Sequence, residues 1–161
     1  MDIKSGILEN IYFGKFNREI LSSITDSPIG PKAKKIVDQF LEAIKKYDPA
    51  KLEESGTIPD ELWQVMKDVG LFGLTIPEKY GGQGLSLRDY LYVIEVLAGK
   101  DMSLALIPLA HLSIGLKGLL LYATDEQKAR YFPDAATGES IFAYVLTEPK
   151  TGSDAQHIET T

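Results

Sequence analysis

Residues 102–122 read MSLALIPLAHLSIGLKGLLLY, and the fold class turns on whether this run crosses a bilayer or fills a helical core. Its length approaches the roughly 20 apolar residues that a spanning helix needs. Against a span stand Pro108, His111, Ser113, Gly115, Lys117 and Gly118, because a lysine held within hydrocarbon is costly. The sequence therefore predicts a helix buried at the centre of an all-α domain, with no transmembrane segment.

The flanking sequence supports that choice. From Pro31, the apolar residues Ala33, Ile36, Val37, Phe40, Leu41 and Ile44 recur at helical spacing, while Lys34, Lys35, Asp38, Glu42 and Lys45 fall on the other side. Thr57 and Asp60 have capping-box spacing ahead of Leu62, Trp63, Val65, Met66 and Val69, with Gly70 as a stop. The stretch FGLTIPEKYGGQGLS at 72–86 holds four glycines and a proline, and it is predicted to be a turn-rich loop. Ser86 and Asp89 then open a third helix with the stripe Leu87, Tyr90, Leu91, Ile94 and Leu97, ending near Gly99. After the 102–122 run, Thr124 and Gln127 cap a short helix through Tyr131, which Pro133 and Gly138 close. Trp63, Tyr90 and Tyr122 lie on apolar helix faces, where core packing is expected.

Past Gly138 the pattern changes. SIFAYVLT at 140–147 is rich in aromatic and β-branched residues between turn formers, and it reads as one strand. One strand cannot satisfy its own edges, so its sheet is expected beyond Thr161 or in another chain, and the chain is expected to be a fragment. The organisation is thus an arm at 1–30, an α-helical domain at 31–139, and the start of a β-domain at 140–161.

Composition narrows the function. With 161 residues, 44% of them hydrophobic and 25% charged, the chain suits an ordinary soluble domain. A net charge of −6 and dispersed cations argue against nucleic acid as a partner. The absence of cysteine excludes disulfides, thiolate nucleophiles and cysteine zinc sites. His111 and His157 lie far apart, and no His and carboxylate set has ligand spacing, so no metal site is predicted. His111 on its apolar helix is expected to be a hydrogen-bonded core or pocket residue. Gly81, Gly82 and Gly84 lack the Lys-Ser/Thr and the strand of a phosphate loop, which leaves them turn and packing duties. The N-terminus lacks the pattern of a secretory signal, and a cytoplasmic location is expected.

The segment YVLTEPKTGSD at 144–154 carries the chemistry. Pro149 drives Glu148 toward extended backbone, and the bend behind it offers Thr151, Gly152 and Ser153, where small residues admit close approach and hydroxyls can hold phosphate oxygens. Physics alone does not select a cofactor here, since most such loops are plain turns.

The chain resembles the acyl-CoA dehydrogenase family. The family segment Tyr-x-x-Thr-Glu-Pro-x-x-Gly-Ser-Asp is matched by Tyr144, Thr147, Glu148, Pro149, Gly152, Ser153 and Asp154. IPEKYGGQG at 76–84 resembles its Pro-Glu-x-x-Gly-Gly-x-Gly loop, and DEQKARYFPDAATGE at 125–139 resembles the connector that follows in relatives. HLSIGLKGLLLYAT at 111–124 is most similar to the very-long-chain branch. The chain departs from many relatives by carrying Lys150 and Thr151 where they have Gly-Ala.

The resemblance implies a helical N-terminal domain of a flavoenzyme, followed by a middle β-domain and a C-terminal bundle, with FAD as cofactor. Tyr144, Val145, Leu146, Thr147, Gly152 and Ser153 inherit flavin contacts, and Ser153 also inherits contact with the acyl-CoA substrate. The implied reaction is α,β-dehydrogenation of fatty acyl-CoA in β-oxidation, in a homo-oligomer of the full-length protein, with electron-transfer flavoprotein as acceptor. The base in relatives is a glutamate of the C-terminal domain, so no catalytic residue is assigned here, and Glu148 is read as structural. Phe72, Tyr90, Leu91 and the 102–122 helix are candidates for an acyl channel. An acyl-CoA oxidase on the same scaffold and a non-catalytic helical interaction module are the alternatives.

Overall fold

The structure is a computed structural model that describes residues 12–14 and 28–160. The chain forms two compact units, Met1–Gly30 and Pro31–Thr161. In the first, the rings of Tyr12 and Phe13 meet edge-on at 5.3 Å; residues 1–11 and 15–27 of the arm lie outside the described residues.

In the second unit, α1 (Pro31–Ile44) starts on a proline, whose fixed φ suits a first helical position. It buries Ala33, Ile36, Val37 and Phe40, as the spacing predicts. A short helix that the sequence reading missed follows, α2 (Pro49–Ser55), capped by the Asp48 carboxylate accepting from Ala50 N at 3.0 Å and closed by Gly56 at φ 62°. None of its residues is buried, so it has no apolar stripe to betray it.

Helix α3 (Asp60–Asp68) buries Leu62 and Met66. The capping box predicted from Thr57 does not form, because the N-cap is Pro59 and no side chain caps it. Proline bars helical backbone at Ile58, so the helix cannot begin early enough for Thr57 to reach its amides. Thr57 instead pairs with Ser55, whose Oγ accepts from Thr57 N at 3.3 Å and donates to its carbonyl at 3.0 Å.

Helix α4 (Leu87–Ala98) is capped as expected, with Ser86 Oγ accepting from Asp89 N at 3.1 Å. It buries Tyr90, Val93, Ile94 and Leu97. The predicted stripe is corrected at Leu87 and Leu91, which are 69% and 50% exposed. Tyr122 is corrected too, at 85% exposed, while Trp63 is half-buried against Phe72.

The 102–122 run is long and apolar enough to cross a membrane by length and composition. It is not one regular helix but α5 (Met102–Ala110), a π-helical turn (His111–Gly115) and α6 (Lys117–Tyr122). Asp101 caps α5 by accepting from Leu104 N at 3.0 Å. Leu104, Ala105, Pro108, His111, Leu112 and Leu116 are buried, whereas Met102, Leu106, Ile114 and Leu121 are exposed, so only one face is in the core. Pro108 sits inside α5 without ending it.

Helix α7 (Asp125–Thr137) shows both halves of the expected capping box: Thr124 N donates to Gln127 Oε1 at 2.8 Å and Gln127 N to Thr124 Oγ1 at 3.2 Å. It outruns the prediction, passing through Pro133 to Gly138, because Phe132, Ala135 and Ala136 are buried beyond Tyr131 and their burial outweighs the proline penalty. α4 packs on both α1 and α5, and α7 packs on the 3₁₀ turns Leu71–Gly73 and Glu78–Tyr80. Phe40, Phe72 and Phe132 are the largest fully buried side chains, each contributing about 2–3 kcal/mol of transfer free energy.

No β-strand forms among the described residues. Residues 140–147, predicted as a strand, run without a ladder, as an isolated segment must when no neighbouring strand pairs with it.

Candidate functional site

The glycine loop at 70–85 is spent on packing. Gly81 N, Gly82 N, Gln83 N, Gly84 N and Leu85 N donate to carbonyls of Glu78, Pro77, Gly73, Ile76 and Leu74 in turn. Those amides have nothing left for a phosphate. At Gly82 an added Cβ would lie 2.5 Å from the Ile76 carbonyl carbon and nearer still to its oxygen, so only glycine fits the crossing. Lys32 bridges the loop to α1 by pairing with Glu78 and donating to Gln83 O at 2.9 Å.

The segment at 140–160 is fastened to the helical body at its start and tied back on itself at its far end. At its start, His111 is fully buried, Phe142 N donates to its Nδ1 at 3.0 Å, and its Nε2 lies 3.1 Å from Ala135 O. With Nδ1 accepting, the ring proton must sit on Nε2 and donate to Ala135, so the imidazole is neutral. Burial lowers the pKa of His111 and outweighs the backbone hydrogen bonds of Ala135 and Phe72, which act the other way. Its ring lies edge-on to Phe72 at 5.8 Å and tilted to Phe142 at 6.0 Å. The sequence expectation for His111 as a hydrogen-bonded core residue is met.

At the far end, Glu148 and Thr151 exchange backbone hydrogen bonds across Pro149 and Lys150, at 2.8 and 3.2 Å. The Glu148 carboxylate accepts from Glu159 N at 3.0 Å, Thr160 N at 2.9 Å and the Thr160 hydroxyl. Those donors, the hydroxyl foremost, hold its pKa below the usual carboxylate value. Thr151 is buried, and its Oγ1 donates to His157 O at 3.0 Å. Lys150 pairs with Glu159 at 3.1 Å and His157 with Asp154 at 2.7 Å, both on the surface.

Between these fastenings lie the residues singled out from sequence. Tyr144 is 59% and Val145 89% exposed, Thr147, Gly152 and Ser153 are exposed, and Leu146 is half-buried. They lie on a largely exposed stretch, interrupted by half-buried Leu146 and Glu148 and by buried Thr151, rather than in a closed pocket. At Gly152 an added Cβ would meet only the Thr147 methyl, at 3.9 Å, so the backbone is open to a ligand. Of the suggested channel residues, Phe72 is fully enclosed, Tyr90 is buried with no hydrogen-bond partner for its hydroxyl, and Leu91 faces out.

Sequence reading missed Gly115. A Cβ there would stand 2.5 Å from Phe142 O, so this glycine lets the segment pass directly over the π-helical turn. A lone glycine inside an apolar run was the available signal. Beside the crossing, Gly118, Leu119, Tyr122, Gln127, Tyr131 and Phe142 line a cavity of about 420 Å³.

Comparison with known proteins identifies the helical body. Residues 32–139 match the family model for the acyl-CoA dehydrogenase N-terminal domain. The human mitochondrial very long-chain specific acyl-CoA dehydrogenase is 40% identical over 124 residues, covering 77% of this chain and 19% of that one. An acyl-CoA dehydrogenase of Bacillus subtilis is 35% identical over 130 residues, 80% of this chain and 34% of its own length. The structure of a Bacillus anthracis acyl-CoA dehydrogenase complexed with FAD superposes with a TM-score of 0.66 at 30% identity, covering 86% of this chain and 26% of that one. The chain thus spans between a fifth and about a third of these relatives, and within that span it belongs to the acyl-CoA dehydrogenase family.

Proposed function

We propose that this chain supplies the helical domain and the flavin-facing edge of an FAD-dependent enzyme that dehydrogenates fatty acyl-CoA thioesters at the α,β position. The observation that carries the proposal is the largely exposed stretch at 144–147 with Gly152 and Ser153, anchored upstream where Phe142 meets His111 and followed by a bend that Glu148 ties to Thr160. Large side chains such as Tyr144 and Val145 in water favour a covering surface, and a flat conjugated ring with a diphosphate suits what is offered. The fit is one of donors and room. Thr147 and Ser153 present hydroxyls, unladdered backbone amides line 144–147, and Gly152 leaves space for close approach.

FAD, when bound, supplies the acceptor for the hydride. The residues of this chain bind and orient: Tyr144, Val145, Leu146 and Thr147 along the ring, Gly152 and Ser153 toward the phosphates, with Ser153 also toward the thioester ligand. None of them is assigned as the base that takes the α-proton, so the 161 residues alone are expected not to turn over. A homo-oligomer, electron-transfer flavoprotein as acceptor, a cytoplasmic setting and the absence of a membrane span belong to the same proposal. So does the choice of dehydrogenase over oxidase, which an oxygen electrode against a flavoprotein acceptor would separate.

The test is flavin retention. Protein containing this chain, purified with FAD, should keep a flavin absorbance band that Thr147→Val and Ser153→Ala weaken. A preparation that stays colourless after reconstitution, or variants that bind as the parent does, would refute the assignment.

A further inference from the structure

His111 and Phe142 are 31 residues apart in sequence, yet the imidazole accepts a hydrogen bond from the Phe142 amide, which with the bond from Ser140 N to Asp134 O at 3.1 Å ties the 140–147 run to the helical body. The imidazole is oriented twice, by Ala135 O on Nε2 and by the Phe72 ring set edge-on at 5.8 Å, so Nδ1 is presented in a fixed direction. Phe142 is gripped from the other side, its carbonyl lying against Gly115 where no side chain larger than hydrogen fits. Two residues further on, the chain is in solvent at Tyr144 and Val145. Phe142 is therefore the last anchored residue before the exposed run, and His111 sets its place.

We propose that His111 is a positioning residue, whose Nδ1 holds the Phe142 amide and so fixes the line along which Tyr144, Val145, Leu146 and Thr147 reach the flavin. This rests on the flavin assignment made above for that run. Protonation of the ring would put a hydrogen on Nδ1 opposite the Phe142 N–H, donor against donor, so the device works only with the neutral tautomer. The elements packed on the ring bring Phe72, Phe142 and the Ala135 backbone against it, and among the described residues burial and backbone hydrogen bonds are what act on it.

Two substitutions separate positioning from bulk. In His111→Asn, the side-chain oxygen falls near the place of Nδ1 and can still accept from Phe142; in His111→Gln, the amide reaches the Nε2 place and Phe142 N loses its acceptor. Hydrogen exchange at the Phe142 amide, measured by NMR on the chain with the Val93 amide as core reference, should fall about tenfold in protection in the Gln variant and be largely restored in the Asn variant. Flavin affinity of protein containing this chain, measured with FAD itself, should follow the same order, parent and Asn above Gln. Gly115→Ala, which leaves His111 intact but pushes on Phe142 O, should weaken FAD binding as Gln does. Equal protection of Phe142 in parent, Asn and Gln would overturn the latch. Protection that follows the order while FAD affinity does not would overturn the positioning role. If the parent binds no FAD at all, the flavin assignment fails, and the exchange data still judge the latch separately.

Discussion

Gly138 closes α7 at φ 78°, and Gly56 closes α2 at φ 62°, each donating its amide to the carbonyl three residues back. The two caps share a backbone shape and differ in surroundings. A Cβ at Gly56 meets nothing within 4 Å, whereas one at Gly138 lies 2.8 Å from Phe72 Cγ and closer to Cδ2. Gly56→Ala therefore tests left-handed strain alone, expected to cost about 1 kcal/mol. Gly138→Ala adds overpacking, because the fully buried Phe72 ring is wedged between Trp63 at 5.5 Å and His111 at 5.8 Å and cannot swing aside. Overpacking of that kind costs about 1–3 kcal/mol, so the total is expected at about 2–4 kcal/mol.

The assay is urea unfolding of the two variants beside the parent, followed by the fluorescence of Trp63, the single tryptophan, which sits on Phe72. The Gly138 variant should also shift the native emission, and the Gly56 variant should not. Equal losses for the two, with emission unchanged in both, would refute the claim that Phe72 is immobile and that the 138 turn is moulded on it.

Other outcomes follow from single contacts. Thr124→Ala should cost about 1 kcal/mol by removing half of the α7 capping box, read by urea unfolding and by faster exchange at the Gln127 amide. Gly82→Ala should exceed both glycine variants above, because its clash is with the Ile76 backbone and no side chain can yield; an unfolding midpoint like the parent's would contradict this. For Glu148 the folded pKa lies below the ordinary 4.5, so order at 148–160 should be full above that value and lost as pH falls through the lower folded one, seen in the carboxyl carbon shift and Thr160 amide exchange. For His111 the folded pKa lies below 6.5, so the unfolded chain takes up a proton that the native one refuses. Stability should fall as pH drops below 6.5, by at most about 1.4 kcal/mol per unit, and His111→Asn should remove that slope.

The helices that could be read from sequence are those whose apolar residues fall on one stripe and whose ends carry a local signal. α1 shows this with Ala33, Ile36, Val37 and Phe40, and α7 with the Thr124 and Gln127 box. Local signals failed where a neighbour changed their meaning. Thr57 has capping spacing, but Pro59 moves the helix start past its reach. α2 buries nothing, so no periodicity marked it. At the candidate site the motif residues can be named from sequence, while the contact that fastens the run cannot, because His111 and Phe142 meet only through the tertiary fold. Glu148 holding Thr160 twelve residues on is the same kind of contact.

The 102–122 run shows why hydropathy cannot supply such detail. Leu104 and Leu106 are the same residue two positions apart, one buried and the other half exposed. A helix apolar on every side offers no polar face to mark solvent, so pattern alone predicts burial all round. What distinguishes the inner face is its chemistry of close contact. The proline, histidine and glycine that argued against a membrane span are here the parts used: Pro108 and His111 are buried, and Gly115 lies under Phe142 O. A π-helical turn at His111–Gly115 widens the helix, as such turns commonly do at functional sites. The residues that make the run irregular as a membrane helix are thus the ones that let it hold a second backbone, and this coupling is what His111→Gln and Gly115→Ala would break.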